Sequence, residues 1–270
     1  MLIDTHCHLN DEKLLCDIDR IVGDFDKDGI ESAICVGYDM PSSELAVSIC
    51  EKYDRVYAAV GVHPHDADTL DDEACQRILE LAKRQKVVAI GEIGLDYYYD
   101  LSEREVQKSA FAKQIELADE AELPIALHVR DAYEDTRKIL FDMQKYIKNG
   151  LLLHCYSGSA EYVKIFDKLD AYYAFGGAIT FKNAKHNLES LAVVPKDRLL
   201  LETDCPYMTP VPFRGKTNEP KYVSLVAQKA AQVLGVSEEE IADLTSKNAK
   251  RLFTRLKLAD KTSVLHKEKI

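Results

Sequence analysis

Short apolar runs recur along the chain. Each is closed by a polar or glycine-rich turn and then by a stretch of helical periodicity. The runs are Leu2–Ile3, Ser32–Val36, Val56–Val60, Val87–Ile90, Pro124–Leu127, Leu151–Leu153, Ala171–Phe175 and Leu199–Leu201. Nearly continuous apolar composition is what parallel strands, covered on both faces, require. Their starts lie about 20 to 40 residues apart, the length of one βα unit.

The intervening segments read as helices. Ser102-Glu-Arg-Glu105 has the form of a capping box and opens a helix expected to run to about Glu122. Pro124 then marks the next strand, because the residue before a proline avoids helical geometry. Asp71 to Gln85, Ala132 to Lys148 and Pro220 to Leu234 carry helical spacing. Ser237-Glu-Glu-Glu240 is a second capping box. Eight βα units predict an α/β fold, a single (β/α)8 TIM barrel over residues 1–260, with a polar tail over 261–270. A doubly wound open sheet is the alternative.

Composition changes this picture little. Hydrophobic residues are 46% and charged residues 30% of 270, ordinary globular usage that excludes a disordered or collagen-like chain. The formal charge of −11 argues against holding a polyanion by bulk charge, although bound metals can reverse the sign locally. Seven scattered cysteines without a CxxC pair fit reduced thiols in the cytoplasm. The opening MLIDTHCHLN, with no basic and no apolar stretch, is not expected to be a signal peptide, and no run of about 18 apolar residues is present.

The chemistry gathers where a barrel places it, at the C-terminal ends of strands. The strand-end segments are Asp4-Thr-His6-Cys-His8, Gly61-Val-His63-Pro-His65, Gly91-Glu92-Ile-Gly-Leu-Asp96, His128-Val-Arg130, His154-Cys-Tyr-Ser157 and Glu202-Thr-Asp204. Six of the eight histidines fall at these ends. One such histidine is most simply a satisfied polar residue, and an aspartate after a strand is most simply a turn cap. Six histidines at one rim indicate a metal site. His6 and His8 are two apart, so both face one way and Cys7 faces the other, into packing. A division that uses every group puts His6, His8 and Asp204 on one metal and His128 with His154 on a second. Glu92 bridges the two. Such mixed donors admit Zn, Mn, Fe or Mg. Paired metals suit phosphodiester hydrolysis, with Asp204 orienting the attacking water and taking its proton. His63, His65, Arg130 and Arg214 are candidate phosphate contacts. Ser157 leads into a helix whose N-terminus attracts anions. Lys182, Lys185, Lys216 and Lys221 follow the last strands and most simply are solvated charges. Tyr97 to Tyr99 either stack on bases or pack over the mouth.

These segments also carry a resemblance. IDTHCHL, VGVHPHD, IGEIGLDYY, PIALHVRDAYEDT, LHCYSGS, LLLETDCPYMTP, RGKTNEP and NAKRLF, spanning residues 3 to about 253, are similar to motifs of the TatD family of metal-dependent deoxyribonucleases. The resemblance implies a barrel with two divalent ions at its C-terminal face, Mg or Mn in activity and often Zn or Ni in structures. It implies His6, His8, Glu92, His128, His154 and Asp204 as ligands, and His63 in substrate binding and catalysis. It also implies a DNA substrate, cut 3′ to 5′ with single strands favoured. The competing expectations are a metal-dependent amidohydrolase or esterase acting on a small molecule or aminoacyl-tRNA, and a non-catalytic binding protein.

Overall fold

The computed structural model describes residues 1–256; the tail expected over 261–270 lies outside them. Eight parallel strands follow one another around a barrel. They are β1 (Leu2–Cys7), β2 (Ile30–Val36), β3 (Val56–Val60), β4 (Val87–Asp96), β5 (Ile125–Arg130), β6 (Leu151–Leu153), β7 (Tyr172–Phe175) and β8 (Leu199–Leu201). Helices α1 (Glu12–Leu15) and α2 (Ile18–Gly23) follow β1, α3 (Met40–Lys52) follows β2 and α4 (Asp72–Ala82) follows β3. α5 (Arg104–Glu120), α6 (Tyr133–Asp142), α7 (Ala160–Phe166) and α8 (Lys185–Leu191) follow β4 to β7 in turn. α9 (Val223–Leu234) and α10 (Glu238–Leu252) come after β8. The seam between β8 and β1 is held by the segment beyond β8: the Asp204 amide donates to the His6 carbonyl at 2.9 Å, and the His8 amide donates to the Cys205 carbonyl at 2.7 Å.

Strand alternation divides the core in two. Ala33, Cys35, Val56, Ala58, Val60, Leu151, Leu153, Leu199 and Leu201 pack outward against Ala46, Ile78, Phe111 and Ile115 of the helices. Their neighbours Ile34, Val36, Tyr57, Ala59, Ala126, Leu152, Ala174 and Leu200 form the inner cluster, together with Leu252, Phe253 and Leu256. The second set matters for function, because the same strand faces continue upward into the polar mouth.

Several boundaries differ from expectation. β1, β4 and β5 run beyond Ile3, Ile90 and Leu127 to Cys7, Asp96 and Arg130. Thus Glu92 and His128 lie within strands, and apolar content underestimates strand length where the inward face turns polar. The box expected at Ser102 does not form. Glu103 is the N-cap without a side-chain bond, and the Ser102 hydroxyl instead donates to the His65 carbonyl at 2.8 Å. The helix expected to reach Lys148 stops at Asp142, and a single 3-10 turn spans Gln144–Tyr146. The box at Ser237 is present on both sides: Ser237 Oγ accepts from the Glu240 amide and Glu240 accepts from the Ser237 amide.

Candidate metal centre

The site grows from the inward faces of the strands by the period of two. Above Leu152 stands His154, above Ala126 stands His128 and then Arg130, above Leu200 stands Glu202, and above Ala59 follow Gly61 and His63. Apolar residues thus pack the lower barrel, and the same face presents donors at the top. Two irregularities adjust the rest. A register shift between Asp4 and Cys7 in β1 accompanies the inward turn of His6. A second, between Ile90 and Ile93 in β4, lies at Glu92. Gly94 is required beside it: its φ is +142°, and a Cβ there would run into the His128 carbonyl. Asp204 has φ +55°, a left-handed conformation that aspartate tolerates and that costs of order 1 kcal/mol.

Glu92 is the hub. Its Oε2 lies 3.4 Å from Nε2 of His6 and 3.8 Å from Nε2 of His8. Its Oε1 lies 2.8 Å from Nδ1 of His128, 2.8 Å from Nε2 of His154 and 3.5 Å from Nε2 of His63. Asp204 Oδ1 adds distances of 3.5 Å to Nε2 of His8 and 4.0 Å to Nε2 of His6. The groups His6–His8–Glu92 and His63–Glu92–His128 each bring one ligand atom per residue within 4.8 Å of the others. His6, His154 and Glu202 form a third such group beneath them.

The outer hydrogen bonds set which nitrogens point inward. His8 Nδ1 bonds the Val36 carbonyl at 3.0 Å, which leaves Nε2 for the centre. His128 Nε2 bonds Asp96 Oδ2 at 3.0 Å, which leaves Nδ1. His63 Nδ1 accepts from the His65 amide at 3.1 Å, so its proton sits on Nε2 and faces Glu92. His154 Nδ1 approaches Glu202 Oε1 at 3.5 Å, while Glu202 Oε1 also accepts from the Cys155 amide at 2.6 Å.

These residues fit a cation. Both ring nitrogens of fully buried His6 lack a hydrogen-bond partner. His128 Nδ1 and His154 Nε2 face each other at 3.4 Å beside the same carboxylate oxygen. Two imidazole lone pairs held so close need a proton or a cation between them. Burial by itself raises the Glu92 carboxyl, but the imidazoles of His154, His63 and His128 outweigh it and hold Glu92 well below the ordinary carboxylate range. Burial, reinforced by His128, pushes His63 well below the usual imidazole value, so it is neutral. Imidazole and carboxylate donors together suit divalent ions of intermediate hardness.

The other expected contacts are placed less directly. His65 is part-buried and bonds Asp96 Oδ2 at 3.2 Å, beside rather than within the hub. Arg130 ends β5 on the His128 face, but its guanidinium lies 3.8 Å above the Tyr98 ring. Ser157 is exposed and shares a 3.2 Å bond with the Tyr133 hydroxyl. Arg214 is exposed and stacks on Phe181 at 3.7 Å. Lys185 and Lys221 are paired with Glu189 and Glu219. Two further buried carboxylates, outside the candidate set, support the histidines. Asp96 orients His128 and His65, and Glu202 underlies His154. For Glu202 the signal was present, since it stands two residues beyond inward-facing Leu200.

Comparison with known proteins agrees with this geometry. The family model described as TatD related DNase matches residues 3–254. The chain is 47% identical over 253 residues to the uncharacterized metal-dependent hydrolase YabD of Bacillus subtilis, covering 94% of this chain and 99% of that protein. It is 37% identical over 256 residues to the uncharacterized metal-dependent hydrolase YcfH of Escherichia coli K12, covering 93% and 95%. Among solved structures it is similar to YjjV, a TatD homologue of Escherichia coli K12, with a TM-score of 0.88, 29% identity and coverage of 94% and 98%. A mutant PTE-like lactonase of Deinococcus radiodurans shares the fold alone, at a TM-score of 0.65 and 14% identity. The chain belongs to the TatD family of metal-dependent hydrolases.

Proposed function

We propose that the protein is a two-metal deoxyribonuclease that hydrolyses phosphodiester bonds, removing nucleotides 3′ to 5′ and preferring single-stranded DNA. One observation carries the reading: the two oxygens of Glu92 are divided between two sets of imidazoles, His6 with His8 and His128 with His154. His6, His8, Glu92 and Asp204 would hold one ion; Glu92, His128 and His154 would hold the other. Bound divalent ions, Mg or Mn in activity, supply Lewis acidity that acidifies water and offsets charge on phosphate oxygens.

The side chains do the rest. Asp204 is the most open carboxylate of the cluster, its side chain 16% exposed against 5% for Glu92, so it is the base that meets water. His63, neutral with its proton on Nε2, donates to the phosphate or the leaving oxygen. His65, Arg130, Ser157 and Arg214 form the outer anion contacts. All seven cysteines are unpaired, which suits the reducing cytoplasm. No helix among the described residues is long and apolar enough to cross a membrane.

The test is removal and return of metal. Protein stripped by chelator should release no nucleotides from single-stranded DNA and should regain release on addition of Mg or Mn. Turnover of esters or cyclic amides by the reloaded protein, with none of DNA, would replace this reading by the amidohydrolase one.

A further inference from the structure

Among the tyrosines and phenylalanines of the described residues four are exposed, all of them tyrosines: Tyr38 at 36%, Tyr98 at 58%, Tyr99 at 54% and Tyr207 at 49%. The remaining tyrosines and phenylalanines there are buried or half-buried. The four are not scattered. Tyr38 and Tyr207 lie edge-on to His8, with ring centroids 5.8 and 6.3 Å away. Tyr99 lies edge-on to His65 at 5.3 Å, and Tyr98 meets Tyr99 at 5.0 Å. Packing does not account for rings left half in water at one rim.

The topology sets the two pairs on opposite flanks. Tyr38 follows β2 and Tyr207 follows β8, the neighbours of β1. Tyr98 and Tyr99 follow β4, and Arg130 ends β5, across the barrel from β1. Glu92 stands between them, with Oε2 toward His8 and Oε1 toward His128. Each pair is anchored. The Tyr207 hydroxyl donates to Asp11 at 2.9 Å. The amides of Tyr98 and Tyr99 donate to Asp96 Oδ1 at 2.9 and 2.8 Å, and the other oxygen of that carboxylate holds His65 and His128. Arg130 lies 3.8 Å over Tyr98 and 4.8 Å over Tyr99, so its planar guanidinium is itself part of the stacked surface.

A ligand that uses all of this has flat unsaturated rings on both sides of an anionic linkage. We infer that Tyr38 with Tyr207, and Tyr98 and Tyr99 with Arg130, are two stacking platforms for the bases flanking the scissile phosphodiester of a single-stranded nucleic acid. Bases paired within a duplex present no free face, so the platforms select unpaired strands. The inference rests on the phosphodiesterase reading and names the part of the substrate that is gripped.

The test compares a single-stranded oligonucleotide with one of the same length carrying abasic residues around the cleaved bond, using metal-loaded protein. Y38A/Y207A and Y98A/Y99A should each lower kcat/KM on the base-containing strand by about 10-fold or more, mostly through KM. On the abasic strand they should match the wild type. Y38F and Y98F/Y99F should retain wild-type behaviour, since stacking needs the ring and not the hydroxyl. Equal losses on both strands, or no loss on either, would overturn the platforms. Binding of a 2-aminopurine oligonucleotide separates this failure from failure of the hydrolytic reading. Quenching by the wild type that is lost in the alanine variants keeps the platforms even if no strand is cut. Absence of quenching removes them.

Discussion

At the scale of single residues, the account turns on which groups touch the reacting atoms and which only hold them. In the proposed reaction Asp204 is the former. Asp204→Asn should lower metal-dependent nucleotide release by about 100-fold or more, the usual contribution of a positioned base. Its circular dichroism should be unchanged, and activity near the wild type would remove Asp204 from that role. Asp96 is the latter. It is fully buried and fixes His128 through Nε2, so Asp96→Asn should weaken metal affinity by about 10- to 100-fold, read by competition with a chromogenic chelator. An unchanged affinity would mean that the strand alone sets the imidazole.

At the scale of elements, the helix ends and one half-buried cross-link offer clean tests. Ser237 caps α10 with both halves of the box in place. Ser237→Ala should cost about 1 kcal/mol and lower Tm by about 2 to 4 °C. The Ser102 position, where no box forms, should show no capping loss of this kind. A pH effect belongs to the junction of β4, α5 and α6. Lys108 and the Tyr97 hydroxyl both bond Asp135, and they hold its carboxyl down at about 2. A carboxyl depressed in the folded state stabilises above its ordinary value of about 3.9, and that stabilisation is lost as pH falls toward 2. Asp135→Asn should flatten the stability profile on the acid side only, measured by thermal melts between pH 2 and 7. Elements were also where sequence reading was most uneven. The eight apolar runs located every strand. They understated β1, β4 and β5 because inward positions near the mouth are His, Glu and Arg rather than aliphatic. The donors themselves were legible, since histidine is scarce and six fall at strand ends. Asp96 is not legible as a functional group because it orients other side chains, which packing reveals; Glu202 is legible as an inward group, two residues beyond Leu200, but not as the partner of His154. The Ser102 box failed because its hydroxyl finds the His65 carbonyl, a contact between distant segments.

At the scale of the whole molecule, the net charge of −11 ceases to oppose a nucleic-acid substrate. The charge that matters is local: in the proposed two-metal arrangement, two divalent ions would add about +4 at the mouth. Lys185, Lys221 and Lys108 are paired with acids, whereas exposed Lys13, Lys182 and Lys216 have no acidic partner among the described residues. With Arg130 and Arg214 as the proposed phosphate contacts, binding of a single strand should depend weakly on salt. A logarithmic slope of about −1.4 is expected for two neutralised phosphates; a much steeper slope would require a basic track that the rim does not present. The central claim is that this centre hydrolyses phosphodiester bonds in DNA. Its most direct test is digestion of 5′-end-labelled single-stranded and duplex DNA by the protein loaded with Mg or Mn, with the products resolved to single nucleotides. The account predicts a ladder shortening from the 3′ end, faster on the single strand and absent after chelation. Intact DNA with either metal, alongside turnover of an ester or amide, would contradict it.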